Sequence, residues 1–118
     1  MMKFSGFAVA AMVAVSSPAL AQDDFNGATQ ILQGDYASAE RIILAQQRMF
    51  PTDPDLMLNL AVAYQRTGRT SEARALYRTV LSRPDEPMDM PSATVPRSSH
   101  ALANAALGRL DGLQYSAR

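Results

Sequence analysis

Cysteine is absent from this 118-residue chain, and histidine and lysine occur once each. Without cysteine there is no disulfide, no thiolate nucleophile and no cysteine-ligated zinc. With His100 as the lone imidazole, the sequence holds no His/Glu pair at metal-ligand spacing, and it has no glycine-rich phosphate loop. An excess of either charge sign is also missing. Eleven cationic and eleven acidic residues give a formal net charge of zero, so nothing steers the chain to nucleic acid or to an anionic membrane. Whatever stability the fold has must come from helix packing.

Long apolar runs are missing too, with one exception at the start. Lys3 precedes the uncharged run Phe7 to Val15, Ser16-Ser17-Pro18 breaks it, and Ala19-Leu20-Ala21 has the small-x-small form of a signal-peptidase site. Residues 1–21 therefore read as a secretory signal peptide cleaved after Ala21. The run is shorter than the roughly 20 residues that a span requires, so no stable membrane insertion is expected after cleavage. The expected location is outside the cytoplasm, in the periplasm of a Gram-negative bacterium. The mature chain, Gln22 to Arg118, is 97 residues long and carries ten arginines, eleven acids and no lysine. That is one small domain.

Within it the apolar residues fall at helical spacing. Phe25, Ala28, Ile31 and Leu32 define a first helix over 23–33, with Asp23 and Asp24 suited to its N-terminus. After a Gly34-Asp35 turn, Ala39, Ile42, Ile43 and Gln46 form a stripe over 36–50, which Pro51 stops. Asp53 caps a helix over 54–67, with Pro54 in its first turn and Met57, Leu60, Ala61 and Tyr64 on its inner side. Gly68 ends that helix and Thr70 is the expected cap of the next, whose apolar face is Ala73, Leu76, Tyr77, Val80 and Leu81. Residues 84–97 hold four prolines and no helical period, and read as a linker with polyproline II character. Ser98 or Ser99 caps a last helix within 98–118, with Leu102, Ala106, Leu110 and Leu113 on one side.

Two stretches share one plan. Gly34-Asp35-Tyr36 leads to Ala39 and is closed by Pro51; Gly68-Arg69-Thr70 leads to Ala73 and is closed by Pro84. Both the glycines and the alanines are 34 residues apart, and a fixed period near that length marks a helical repeat array. The fold class expected is all-α: antiparallel helix pairs over 22–83 and a C-terminal helix.

The run Asn59-Leu60-Ala61, Tyr64, Gly68, Glu72-Ala73, Tyr77 and Val80-Leu81, with Met57 ahead of it, resembles one full tetratricopeptide repeat. Small Ala61 and Ala73 let the paired helices approach, and Tyr64 and Tyr77 fill the space beside them. The first copy is partial, with Gln30 where the resemblance expects an aromatic residue. The last helix reads as the cap of the array, because no second helix follows it, with the start of a third repeat as the alternative. The resemblance implies a protein or peptide partner in a concave groove lined by the first helix of each repeat. On the helix over 54–67 that groove face carries Asp55, Leu58, Asn59, Val62, Gln65 and Arg66. Leu58 and Val62 are apolar and off the inward stripe, so either the last helix or a partner covers them. The paired lysines with which some family members clamp a C-terminal carboxylate have no counterpart in the mature chain.

No residue constellation argues for catalysis, a cofactor or a metal. Ser98, Ser99 and His100 share one helical turn and lack an acid placed to orient the ring, so capping is the expected role of the serines. Met88 and Met90 flank Asp89 but have no further soft ligand nearby. The reading is an exported interaction module, not an enzyme. The alternative is a self-associating homodimeric module whose seam is Leu58 and Val62.

Overall fold

The structure is a computed structural model that describes residues 26–88 and 97–116. The segment read as a signal peptide, the Asp23-Asp24 pair, Phe25 and Met90 lie outside those residues. The helices follow in the order α1 (Ala28–Leu32), α2 (Tyr36–Gln47), α3 (Pro54–Arg66), α4 (Thr70–Leu81) and α5 (Ser99–Ser116). Each packs antiparallel on the one before it, and α3 also touches α1 and α5.

The 34-residue period is written into the backbone. At the end of α1 the Gly34 N–H donates to the Ile31 carbonyl at 3.0 Å and the Asp35 N–H to the Gln30 carbonyl at 2.8 Å. At the end of α3 the Gly68 N–H donates to Gln65 at 3.3 Å and the Arg69 N–H to Tyr64 at 2.8 Å. These are two Schellman closures at equivalent positions, and each needs a left-handed residue after the helix. Gly34 and Gly68 supply it with φ of 77° and 82°, which a side chain would resist. The start of α3 is fixed as the sequence implies: Asp53 Oδ1 accepts from the Asp55 N–H at 2.9 Å, with Pro54 in the first turn.

The start of α4 is not. Thr70 is already helical, and the capping position belongs to Arg69, whose side chain makes no cap bond. The Arg69 guanidinium instead donates to Glu40 on α2 at 3.0 and 2.5 Å and lies 4.3 Å from the centroid of the Tyr64 ring. A bidentate ion pair and a cation–π contact thus tie this turn to the preceding repeat.

Two clusters make the core, and α3 contributes to both. Leu56 and Leu60 meet Ala39 and Ile43 of α2, with Ile31, Tyr64 and Leu76 at the edge. Met57, Leu58 and Ala61 meet Ala73, Tyr77 and Val80 of α4 and Ala103, Ala106 and Leu110 of α5. Ala39, Ala61, Ala73 and Ala103 have no exposed surface, so the helices come together at alanine. Leu32, expected on the inner stripe of the first helix, is 87% exposed. The helix ends there, and it is Ile31 that packs inward.

The proline-rich segment is tied at both ends rather than loose. Pro87–Met88 (β1) pairs antiparallel with Arg97–Ser98 (β2), Pro87 opposite Ser98, and Met88 is buried in the larger cluster. The fully buried Ser99 accepts from the Glu86 N–H at 3.0 Å through Oγ. Its own N–H donates to the Glu86 carbonyl at 2.7 Å. Ser98 Oγ caps α5 by accepting from the Ala101 N–H at 3.1 Å. Asp85 Oδ1 accepts from the His100 N–H at 2.9 Å, and His100 Nε2 donates to the Arg83 carbonyl at 2.6 Å. The two serines and the histidine thus fasten α5 to the end of α4.

Two outcomes follow. Leu110→Ala removes an aliphatic side chain from the α4–α5 seam and should lower the free energy of unfolding by about 2–5 kcal/mol, measured by urea denaturation. The second concerns acid. The His100 N–H holds the Asp85 carboxyl below its ordinary 3.8; burial opposes this, and hydrogen bonds from Ser98 and Ser99 add to the lowering. A depressed carboxyl stabilises the fold above its unfolded pKa and loses that contribution as pH falls through its folded value. Circular-dichroism melts should therefore show added destabilisation below about pH 4, smaller in Asp85→Asn.

Candidate partner-binding face

The helix over 54–66 sits in the middle of the array, with α1 on one side and α5 on the other. The turn after Pro54 sends Leu56, Met57, Leu60 and Ala61 into the two clusters. What remains is the face assigned to a partner, and its six residues meet three different fates.

Leu58 is only 8% exposed and packs with Ala61, Ala103 and Ala106. The last helix is what covers it, so Leu58 is not available as a homodimer seam, nor as an open groove contact. Asp55 and Asn59 converge on one residue of the chain entering α1. Asn26 Nδ2 donates to Asp55 Oδ2 at 2.7 Å, and Asn59 Nδ2 donates to the Asn26 carbonyl at 2.9 Å. Asn26 Oδ1 meanwhile accepts from the Ala28 N–H at 3.1 Å. One asparagine therefore holds the start of α1 against α3 with bonds of opposite sense, and this half of the face is occupied from within.

The other half is open. Val62 and Gln65 are half-buried and Arg66 is exposed. Gln65 Oε1 accepts from the Tyr77 hydroxyl at 3.1 Å, which orients its amide and leaves the Nε2 N–H donors for another acceptor. Burial pushes the Tyr77 phenol up, while Arg109 and Arg66 pull it the other way. Arg109 is exposed. Its position on α5 follows from how that helix returns to the array, and no spacing in the sequence encodes that. The helical period of the last helix was the only available signal, and it marks the inner side of α5, not its neighbours.

An apolar shoulder at Val62, a fixed amide at Gln65 and the exposed Arg66 are chemically suited to an acidic or carbonyl-rich segment. Among the described residues no group of three or more His, Cys, Asp or Glu side chains is placed to hold a metal ion. No described helix is long and apolar enough to cross a membrane.

A family model described as tetratricopeptide repeat matches residues 19–87. No curated protein and no solved structure matches the chain.

The asparagine latch predicts its own phenotype. Asn26→Ala removes two side-chain bonds and should destabilise the protein by about 1–2 kcal/mol. Hydrogen exchange should show the loss of protection confined to α1 and the start of α3.

Proposed function

Because the chain belongs to the tetratricopeptide repeat family, whose repeats mediate protein–protein interaction, we propose that it is a non-catalytic adaptor that takes a protein or peptide partner. The contact surface is the open end of the face, Val62, Gln65 and Arg66 of α3, joined by Arg109 of α5. The observation that carries this reading is the hydrogen bond from the Tyr77 hydroxyl to Gln65 Oε1, which fixes the Gln65 amide at the open end of the face beside the exposed Arg66. A partner segment bearing Asp or Glu beside an aliphatic residue meets both the charge and the apolar shoulder. The amino-terminal pattern of Lys3, the run Phe7 to Val15 and the Ala19-Leu20-Ala21 site supports export, and the periplasm is the compartment proposed.

Fluorescence anisotropy with labelled peptides tests the reading. An acidic peptide carrying leucine should bind, its amidated glutamine counterpart should bind at least several-fold more weakly, and rising salt should weaken only the acidic one. Arg66→Glu with Arg109→Glu should abolish the preference while leaving the melting curve close to wild type, because both side chains are exposed. Equal binding of both peptides, or a preference untouched by the double variant, removes the proposed surface.

A further inference from the structure

Four residues stand in line along α3. Asp55, Asn59, Val62 and Arg66 recur at i, i+4, i+7 and i+11, so they share one side of the helix over about 16 Å. The last two belong to the open end of the face. The first two are taken by Asn26 of the same chain. Its side-chain amide donates to the Asp55 carboxylate at 2.7 Å, and its main-chain carbonyl accepts from the Asn59 amide at 2.9 Å. One contact reads a side chain and the other reads the backbone, which is how a residue of a bound peptide would be held there.

The hold on Asn26 is replaceable. Asn26, Asp55 and Asn59 are each half-buried, within reach of solvent. The helix that follows, α1, is five residues long and buries none of them. Gly27 between them is different. It is buried with φ of 76°, and a Cβ there would lie 2.9 Å from two carbons of Ile43. The chain is thus anchored on α2 at Gly27, and Asn26 reaches α3 from that anchor through hydrogen bonds. A ligand that offers the same amide and carbonyl replaces those bonds like for like, so little hydrogen-bond energy is lost in the exchange. Glycine at the anchor supplies the rotation by which Asn26 leaves.

We propose that Asn26 is a built-in competitor, and that a partner segment carrying an asparagine displaces it to take Asp55 and Asn59. Displacement rests on the adaptor reading, because the partner must already lie along α3 at Val62 and Arg66. It adds a carboxamide to the acidic, aliphatic segment and makes the Asn26 latch the element that sets affinity. The apparent affinity is the intrinsic one reduced by the fraction of molecules whose latch is open. Asn59 and Arg66 are seven residues apart, about 10 Å of helix. About three residues of extended chain span that distance, which fixes the spacing between the partner's asparagine and its acid.

The test extends the acidic leucine peptide by an asparagine at that spacing, in either chain direction, with alanine in its place as the control. Fluorescence anisotropy should show Asn26→Ala raising the affinity for the asparagine peptide by at least about fivefold. The alanine peptide should gain nothing, and adding Asn59→Ala should cancel the gain. A second measurement needs no variant. In the wild-type protein the NMR signal of the Asn26 side-chain amide should move to its solvent-exposed position as the asparagine peptide saturates. An affinity unchanged by Asn26→Ala, a gain shared equally by both peptides, or a bound asparagine peptide that leaves the Asn26 signal in place overturns the proposal. If the wild-type protein still binds the shorter acidic peptide in those cases, the adaptor surface stands without the latch; if it binds no peptide, both fall.

Discussion

Alanine at the helix crossings governs how this chain folds. Ala39, Ala61, Ala73 and Ala103 are each without exposed surface, and they lie on four successive helices. A methyl group is the largest side chain that permits close approach at such a crossing, so a bulkier residue there would push a helix away from both its neighbours. The clusters on either side then follow. Leu56 and Leu60 turn to α2 while Met57 and Leu58 turn to α4 and α5, so α3 has little surface to spare. That double commitment explains why a face expected to be open is half closed.

Much of the architecture was legible because it is local. The 34-residue offset of Gly34 and Gly68, the Asp53-Pro54 start and the Met57 to Tyr64 stripe are short-range patterns, and each corresponds to a bond or a burial in the structure. What was not legible depends on contacts across the array. Thr70 has the composition of a cap, yet Arg69 takes the position because Glu40 and Tyr64 reward its guanidinium there. Leu32 falls on the helical period, but the period outlasts the helix. The proline count of the segment after α4 speaks for a loose connection and is silent about the backbone pairing of Pro87 with Ser98.

The register of the candidate face was legible from the sequence, but its surroundings were not. Val62, Gln65 and Arg66 were identified from the register of one helix, and that register is what the structure has. Asn26 and Arg109 were invisible, since one lies 29 residues from Asp55 and the other on a helix whose placement follows from packing. Leu58 could be assigned to a covered position only by knowing that the last helix returns. Repeat sequences encode the relation of each helix to its neighbours well, and the relation of their ends to anything else poorly.

The short ribbon before α5 has an architectural consequence. With Pro87 beside Ser98 and the Ser99 N–H on the Glu86 carbonyl, the two sides of the connection are already joined where α5 begins. The flanking residues are fixed by this pairing, so the position of α5 does not depend on the contour length between them. For a closed loop, each doubling of length costs only about 0.6 kcal/mol. The position between β1 and β2 is therefore where this scaffold tolerates an inserted sequence, whether by evolution or by engineering, without disturbing the register of the helix that seals its core.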